Sequence, residues 1–140
     1  INMVITSTGA GKAVTKVIPS LEGKLTANAV RVPTPNVSLA ILKLNLNKTT
    51  SVEDMNETMI NAALHGNLVN QINYQVEPDL VSSDIIGTTC CSVYDSNATI
   101  VTEEGNDAVL YIWYDNEFGY TKQVIRLAKY IAKVRRLTYY

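Results

Sequence analysis

Histidine and cysteine are almost missing from this chain of 140 residues: there is one histidine, His65, and two adjacent cysteines, Cys90 and Cys91. Neither residue type supplies the spaced set of ligands that holds a metal such as zinc, and no metal site is expected. Consecutive side chains of a strand point to opposite faces. A Cys90–Cys91 disulfide would therefore be strained, and no third thiol offers another partner. That favours a reducing compartment, the cytoplasm, and buried free thiols. His65 falls at the end of a helical stripe, where an imidazole complements the helix C-terminal dipole and is not expected to act in catalysis. Long hydrophobic runs are lacking too: none approaches the ~20 residues that span a bilayer, so no membrane partner is expected. Internal repeats, linkers and low-complexity segments are absent. An initiating methionine is also lacking, because residue 1 is Ile and no signal peptide follows it. The expectation is that the chain begins inside a larger protein.

What is present is apolar and unevenly charged. Apolar residues make up 46% of the sequence, enough for a globular domain with a real core. The net charge of −1 hides an asymmetry: all 13 acids precede residue 118, whereas Lys122, Arg126, Lys129, Lys133, Arg135 and Arg136 crowd the end of the chain. Such a basic tail suits nucleic acid or an anionic membrane. It equally suits a solvated helix face whose cations complement the helix dipole, and that is the reading preferred here; nucleic acid is not an expected partner.

Periodicity places the elements. Residues 3–5 are a short apolar run. Then comes Thr6-Ser7-Thr8-Gly9-Ala10-Gly11-Lys12, followed by Val14, Val17, Ile18 and Leu21 at helical spacing. Ser7 or Thr8 is a natural N-cap; Pro19 and Gly23 end the helix. Leu25–Val32 precedes a Pro33-Thr34-Pro35-Asn36 turn, and Val37–Leu46, which alternates from Leu42 onward, reads as a half-buried strand. Ser51-Val52-Glu53-Asp54 resembles a capping box that opens a helix with Val52, Met55, Met59, Ile60, Ala63 and Leu64 on one stripe and Gly66 at its end; its methionines are core packing. Gln71–Val76, Leu80–Asp84, Thr88–Tyr94 and Ala98–Thr102 carry strand composition, a Glu104–Asp107 turn leads to strand Val109–Trp113, and a last helix starts at about Thr121. Helices sharing a mostly antiparallel or mixed sheet, packed on one face of it, make this an α+β domain.

Three places invite chemistry. The Gly loop before the first helix fails the Walker A pattern at Thr6 and Ala13, and fails the dinucleotide fingerprint at Val14. Yet a helix N-terminus with free N–H groups, two hydroxyls and Lys12 nearby can hold phosphate, or can simply be capped. Arg31 stands between Val30 and Val32, where an arginine meets either an anion or a core-edge carboxylate. The stretch Trp113–Tyr120, W-Y-D-N-E-F-G-Y, sets four aromatic rings, two carboxylates and an amide at the end of a strand. Such a cluster is either a turn whose rings close the core or a platform for a ligand.

The string W-Y-D-N-E-F-G-Y resembles the C-terminal signature of phosphorylating glyceraldehyde-3-phosphate dehydrogenases. The segments S-T-G-A-G-K-A-V-T-K-V-I-P-S-L-E-G-K (7–24), A-V-R-V-P-T-P-N-V-S (29–38) and V-S-S-D (81–84) resemble the same family in the same order. The chain thus looks like the C-terminal catalytic domain of that family over residues 1–140, without the domain's opening part and without the N-terminal Rossmann domain. The resemblance implies that Thr8, Gly9 and Arg31 bind phosphate, of the substrate or inorganic. It implies that Asn116 bonds the nicotinamide carboxamide and that Tyr120 lies beside the nicotinamide ring.

What the resemblance implies for function is oxidation and phosphorylation of glyceraldehyde 3-phosphate to 1,3-bisphosphoglycerate with NAD, NADP not being excluded, in a cytoplasmic homotetramer. A cysteine thiolate attacks the aldehyde, a histidine serves as acid and base, and phosphate cleaves the thioester. No catalytic residue of that scheme is carried over to this chain. The family's S-C-T-T-type motif is missing, Cys90-Cys91 stands where relatives carry a His-Ser type pair, and His65 matches no catalytic position. The fragment alone is therefore expected to be inactive. Where relatives read G-P-L-K-G-I-L-G-Y, residues 66–74 read G-N-L-V-N-Q-I-N-Y, so that loop is expected to be reshaped; the R-R-L-T-Y-Y end is a further departure. The alternatives are the same chemistry on erythrose 4-phosphate, and a catalytically silent homologue kept for binding or assembly.

Overall fold

A computed structural model describes residues 2–134. The expectations for Arg135, Arg136 and the R-R-L-T-Y-Y end lie outside the described residues. The contacts divide the chain into two compact units, Ile1–Pro35 and Asn36–Tyr140.

The first unit is a two-stranded antiparallel ribbon with a helix between its strands. Strand β1 (Val4–Ser7) pairs with β2 (Asn28–Arg31), Val4 opposite Arg31 and Ser7 opposite Asn28. Helix α1 (Ala10–Val17) follows β1 and ends in a 3-10 turn at Pro19–Leu21. Pro19 lacks the N–H that would continue the α-helix, and Gly23 at φ +73° turns the chain back. The helix cap corrects the sequence expectation: Gly9, not Ser7 or Thr8, occupies the N-cap position. The Thr8 hydroxyl still serves, accepting from the Ala10 N–H at 3.2 Å. None of residues 2–35 is fully buried.

The second unit holds the core. Its sheet has β7 (Asp107–Tyr114) at the centre, flanked on one side by β3 (Ser38–Asn45) and on the other by β5 (Ser92–Asp95), then β4 (Ile72–Gln75); the short β6 (Ile100–Val101) also pairs with β7. All pairs are antiparallel except β4 with β5. The result is the α+β fold with a mixed, mostly antiparallel sheet that the order of helices and strands implied. Tyr94 stands opposite Ile112, and Leu110 and Ala108 continue that face along β7. Tyr94, Ala108 and Leu110 are buried, as are Val93 and Ile85.

Helix α2 (Val52–Leu64) packs on this sheet against β4. The Ser51 hydroxyl caps it, accepting from the Asp54 N–H at 3.1 Å. The buried Tyr94 hydroxyl donates to Asn56 Oδ1 of α2 at 2.8 Å and accepts from Thr99 at 2.6 Å, so its polar tip is satisfied where its ring is desolvated. His65 is the C-cap of α2, at the helix end where the sequence put it. Leu80–Asp84 is not a strand: Ser82–Ile85 forms one helical turn, α3, with Asp84 accepting from the Val81 N–H at 2.9 Å. The last helix, α4 (Asn116–Ile131), starts five residues earlier than expected. Asp115 caps it, and Gly119 sits inside the helix despite its low propensity. No helix among the described residues is long and apolar enough to cross a membrane.

Candidate anion and cofactor sites

The candidate anion residues lie in the first unit. Val4, Thr6 and Arg31 share one face of the β1–β2 ribbon, because Val4 faces Arg31 across the ladder and Thr6 is two residues further along β1. The Arg31 side chain runs along that face and its Nε donates to the Thr6 hydroxyl at 3.3 Å. This fixes the guanidinium by one edge, and leaves its other N–H groups for an anion. No carboxylate meets Arg31 among the described residues, so the ion-pair alternative has no support there. Arg31 and both flanking valines are exposed, which corrects the expectation of an arginine in an apolar setting. Thr8 and Gly9 follow β1 directly and open α1. A Cβ placed on Gly9 would meet nothing within 4 Å, so the space over the helix N-terminus is open. The N–H groups of the first turn point that way, with Lys12 exposed on the same turn.

Asn116 and Tyr120 lie in the second unit, four residues apart and hence on one face of α4. They line a shallow hollow with Cys91, Tyr114, Asp115, Gly119 and Gln123. Tyr120 is 73% exposed, so its ring is a free wall and not a core plug. The stretch W-Y-D-N-E-F-G-Y is therefore neither a turn nor a closed core: it is the end of a strand and the first two turns of a helix. Its two carboxylates have separate fates, since Glu117 is exposed and Asp115 is 1% exposed.

Asp115 accepts four hydrogen bonds. Its Oδ1 takes the Glu117 and Phe118 N–H groups at 2.9 and 3.0 Å, and its Oδ2 takes the Gly87 N–H at 2.9 Å and the Asn36 amide at 3.0 Å. The Gly87 and Phe118 bonds, then those from Glu117 and Asn36, hold the carboxyl below the usual carboxylate range, against an opposing push from burial. Asn36 also accepts the Val37 N–H at 2.7 Å, and Val37 adopts φ +76°, a strained conformation for a β-branched residue.

The contacts behind two residues that line the hollow, Cys91 and Gln123, were not legible in the sequence. Gln71 is buried, accepts at Oε1 from Gln123 of α4 at 2.8 Å, and receives the Cys91 thiol at 3.3 Å. These contacts join residues 52 and 20 positions apart, and no local pattern announces them. The role of Asp115 did have a signal, an Asp directly before a helical segment. The cysteines correct another expectation: Cys91 is exposed and Cys90 only half-buried. They do face opposite ways, Cys91 into this hollow and Cys90 into a second one between α2 and β4. Burial, and then the neighbouring Cys91, push the Cys90 thiol above its usual range, with Lys122 opposing. Cys90 thus stays a protonated thiol at neutral pH.

Residues 1–116 match the family model for the glyceraldehyde 3-phosphate dehydrogenase C-terminal domain. The chain is 51% identical over 134 residues to a glyceraldehyde-3-phosphate dehydrogenase-like protein of Pseudomonas aeruginosa (strain UCBPP-PA14), covering 96% of this chain and 29% of that protein. It is 49% identical over 131 residues to the glyceraldehyde-3-phosphate dehydrogenase of Priestia megaterium (strain DSM 319 / IMG 1521), covering 94% of this chain and 38% of the relative. Against glyceraldehyde-3-phosphate dehydrogenase 1 of Bacillus subtilis (strain 168) it is 47% identical over 132 residues, with the same coverage of 94% and 38%. The chain thus spans well under half the length of each of these relatives. With the fold, these matches make the chain a member of the glyceraldehyde-3-phosphate dehydrogenase family, corresponding to its C-terminal domain.

Proposed function

We propose that the chain is the substrate-binding part of an oxidoreductase that converts glyceraldehyde 3-phosphate and inorganic phosphate to 1,3-bisphosphoglycerate. The observation that carries this is the hollow beside α4, where the Asn116 amide and the exposed Tyr120 ring stand one helical turn apart. An amide can pair with a carboxamide through both a donor and an acceptor, and an aromatic ring gives a planar heterocycle a wall to lie against. Those are the two demands of a nicotinamide, and the residues fit it. NAD or NADP, when bound, supplies the hydride acceptor. Asn116 holds the carboxamide, Tyr120 flanks the ring, and Thr8, Gly9 and Arg31 hold phosphate by charge and N–H donation. This chain's contribution is positioning and electrostatics.

The nucleophilic cysteine, the acid–base histidine and the dinucleotide-binding domain belong, in this reading, to the longer parent. The parent works in the cytoplasm as a homotetramer. The test is turnover of the full-length protein with NAD and phosphate, on glyceraldehyde 3-phosphate and on erythrose 4-phosphate. Preference for the three-carbon aldehyde is expected. Preference for the four-carbon sugar would reassign the substrate, and no turnover on either would make the protein a silent homologue. Arg31→Ala should raise the KM for phosphate about 10- to 100-fold, the range for a lost hydrogen bond to a charged group. An unchanged KM would make Arg31 a structural ligand of Thr6 only.

A further inference from the structure

We infer that Asp115 is a positioning residue for Asn116, acting through a clamp that ties the start of α4 to Asn36 and Gly87; this rests on the nicotinamide reading above. Capping a helix needs one oxygen. Oδ1 of Asp115 does that alone, accepting from Glu117 and Phe118, and a Ser, Thr or Asn at the same place would suffice. The second oxygen does something a cap does not require. It binds two segments far away in sequence, the Gly87 N–H and the Asn36 amide, at separations of 28 and 79 residues. Four donors converge on one side chain that is 1% exposed, and only a carboxylate offers acceptor positions for all four and no donor of its own.

One remote partner, Gly87, has an unusual backbone conformation, and the other, Asn36, directly precedes one at Val37. Gly87 has φ +85°, yet a Cβ there would meet nothing within 4 Å. What glycine supplies at that position is the backbone angle that turns its N–H to Asp115, not room. Asn36 uses its Oδ1 for the N–H of the strained Val37 and its Nδ2 for Asp115. The corner at Asn36–Val37 is thereby over-determined, as strained backbone near functional groups tends to be. Asn116 is the residue immediately after Asp115 and the first of α4. Its Cα position, and that of Tyr120 one turn on, follow wherever the clamp sets the helix start. Loss of the Oδ2 side would leave α4 formed but free to shift against these two segments, and a displacement near 1 Å matters at a binding site.

The test uses the full-length protein. Asp115→Asn keeps Oδ1 for the cap but turns the other position into an NH2 that faces two donors. NADH affinity should fall about tenfold, the order of one charged hydrogen bond, with the KM for inorganic phosphate unchanged. Asn36→Ala removes a single remote donor, threatens folding less, and should weaken NADH about threefold. The exchanged pair, Asn36→Asp with Asp115→Asn, restores an amide–carboxylate bond and should recover part of the loss. Unchanged NADH affinity in Asp115→Asn and in Asn36→Ala overturns the positioning role. Equal losses for NADH and phosphate also overturn it, in favour of general destabilisation. A wild-type protein that binds no NADH overturns the nicotinamide reading, and the positioning role with it.

Discussion

Single residues in this chain act through the number and direction of their hydrogen-bond partners. Asp115 gives a pH prediction whose sign is fixed. Its folded-state pKa lies below the ordinary carboxyl value of about 3.8, so the unfolded chain takes up this proton first as the pH falls. The stability it contributes is therefore complete above about pH 4–5 and is lost as the pH falls toward the folded-state value. Urea midpoints measured from pH 6 to pH 3 should show wild type more stable than Asp115→Asn at the upper end, with the gap closing below about pH 4. A gap independent of pH would assign the stabilisation to packing.

Two glycines make opposite predictions at the same scale. A Cβ on Gly105, which has φ +74°, would sit 2.7 Å from the Thr50 carbonyl oxygen, with backbone on the other side of the contact. Gly105→Ala should cost about 1–3 kcal/mol through strained backbone plus that clash. Gly119 is helical, and its Cβ would stand 3.5 Å from the Cys90 carbonyl and 3.7 Å from the Cys91 Cα, ordinary contact distances. Gly119→Ala should leave stability unchanged or raise it by up to about 1 kcal/mol, the propensity difference in a helix interior. Thermal unfolding of the two variants tests both statements.

At the scale of elements, legibility followed locality. The alternation within Val37–Leu46 and the apolar run Val109–Trp113 foretold β3 and β7, which pair over their full lengths. Ser51 foretold the cap of α2, and Ser51→Ala should cost about 1 kcal/mol in denaturant unfolding. The start of α4 was misread because Asp115, Asn116 and Gly119 have turn composition, and composition says nothing of an Asp side chain already engaged by Gly87 and Asn36. Leu80–Asp84 was misread because the apolar pair Leu80-Val81 outweighed a Ser-Ser-Asp run that can close a single turn. Thr8, Gly9, Arg31, Asn116 and Tyr120 stood out through their motifs and neighbours. Gln71, Gln123 and Cys91 did not, since a contact across 52 residues leaves no periodic trace. The same holds for the clamp: Asn36 and Gly87 look like ordinary turn residues until the fold brings them to one carboxylate.

At the scale of the whole molecule, the contrast is between a small core and a large apolar surface. Only Ile85, Val93, Tyr94, Ala108 and Leu110 are buried hydrophobics among the described residues, whereas Met3, Ile5, Val17, Tyr120, Tyr130 and Ile131 are each more than 70% exposed. On α4, Val124, Leu127 and Ile131 follow the i, i+3, i+7 spacing of a helix face made to be covered. Exposed apolar surface of this kind marks contact with other protein, and the longer parent proposed above, suggested by a chain that spans 38% of its Priestia megaterium relative, would supply that cover. The proposed parent thus makes a prediction about the isolated chain. Expressed alone, it should bind a hydrophobic dye strongly and elute in light-scattering chromatography above its monomer mass of 15.4 kDa, whereas the full-length protein should bind little dye. Replacing Val124, Leu127 and Ile131 together by polar residues should reduce dye binding of the isolated chain, because these side chains hold surface and not core. In the full-length protein the same triple change should lower the unfolding temperature, because there the face is covered. If the isolated wild-type chain proves monomeric and dye-silent, the apolar face of α4 is accommodated within this chain, and the case for a covering segment in the parent falls.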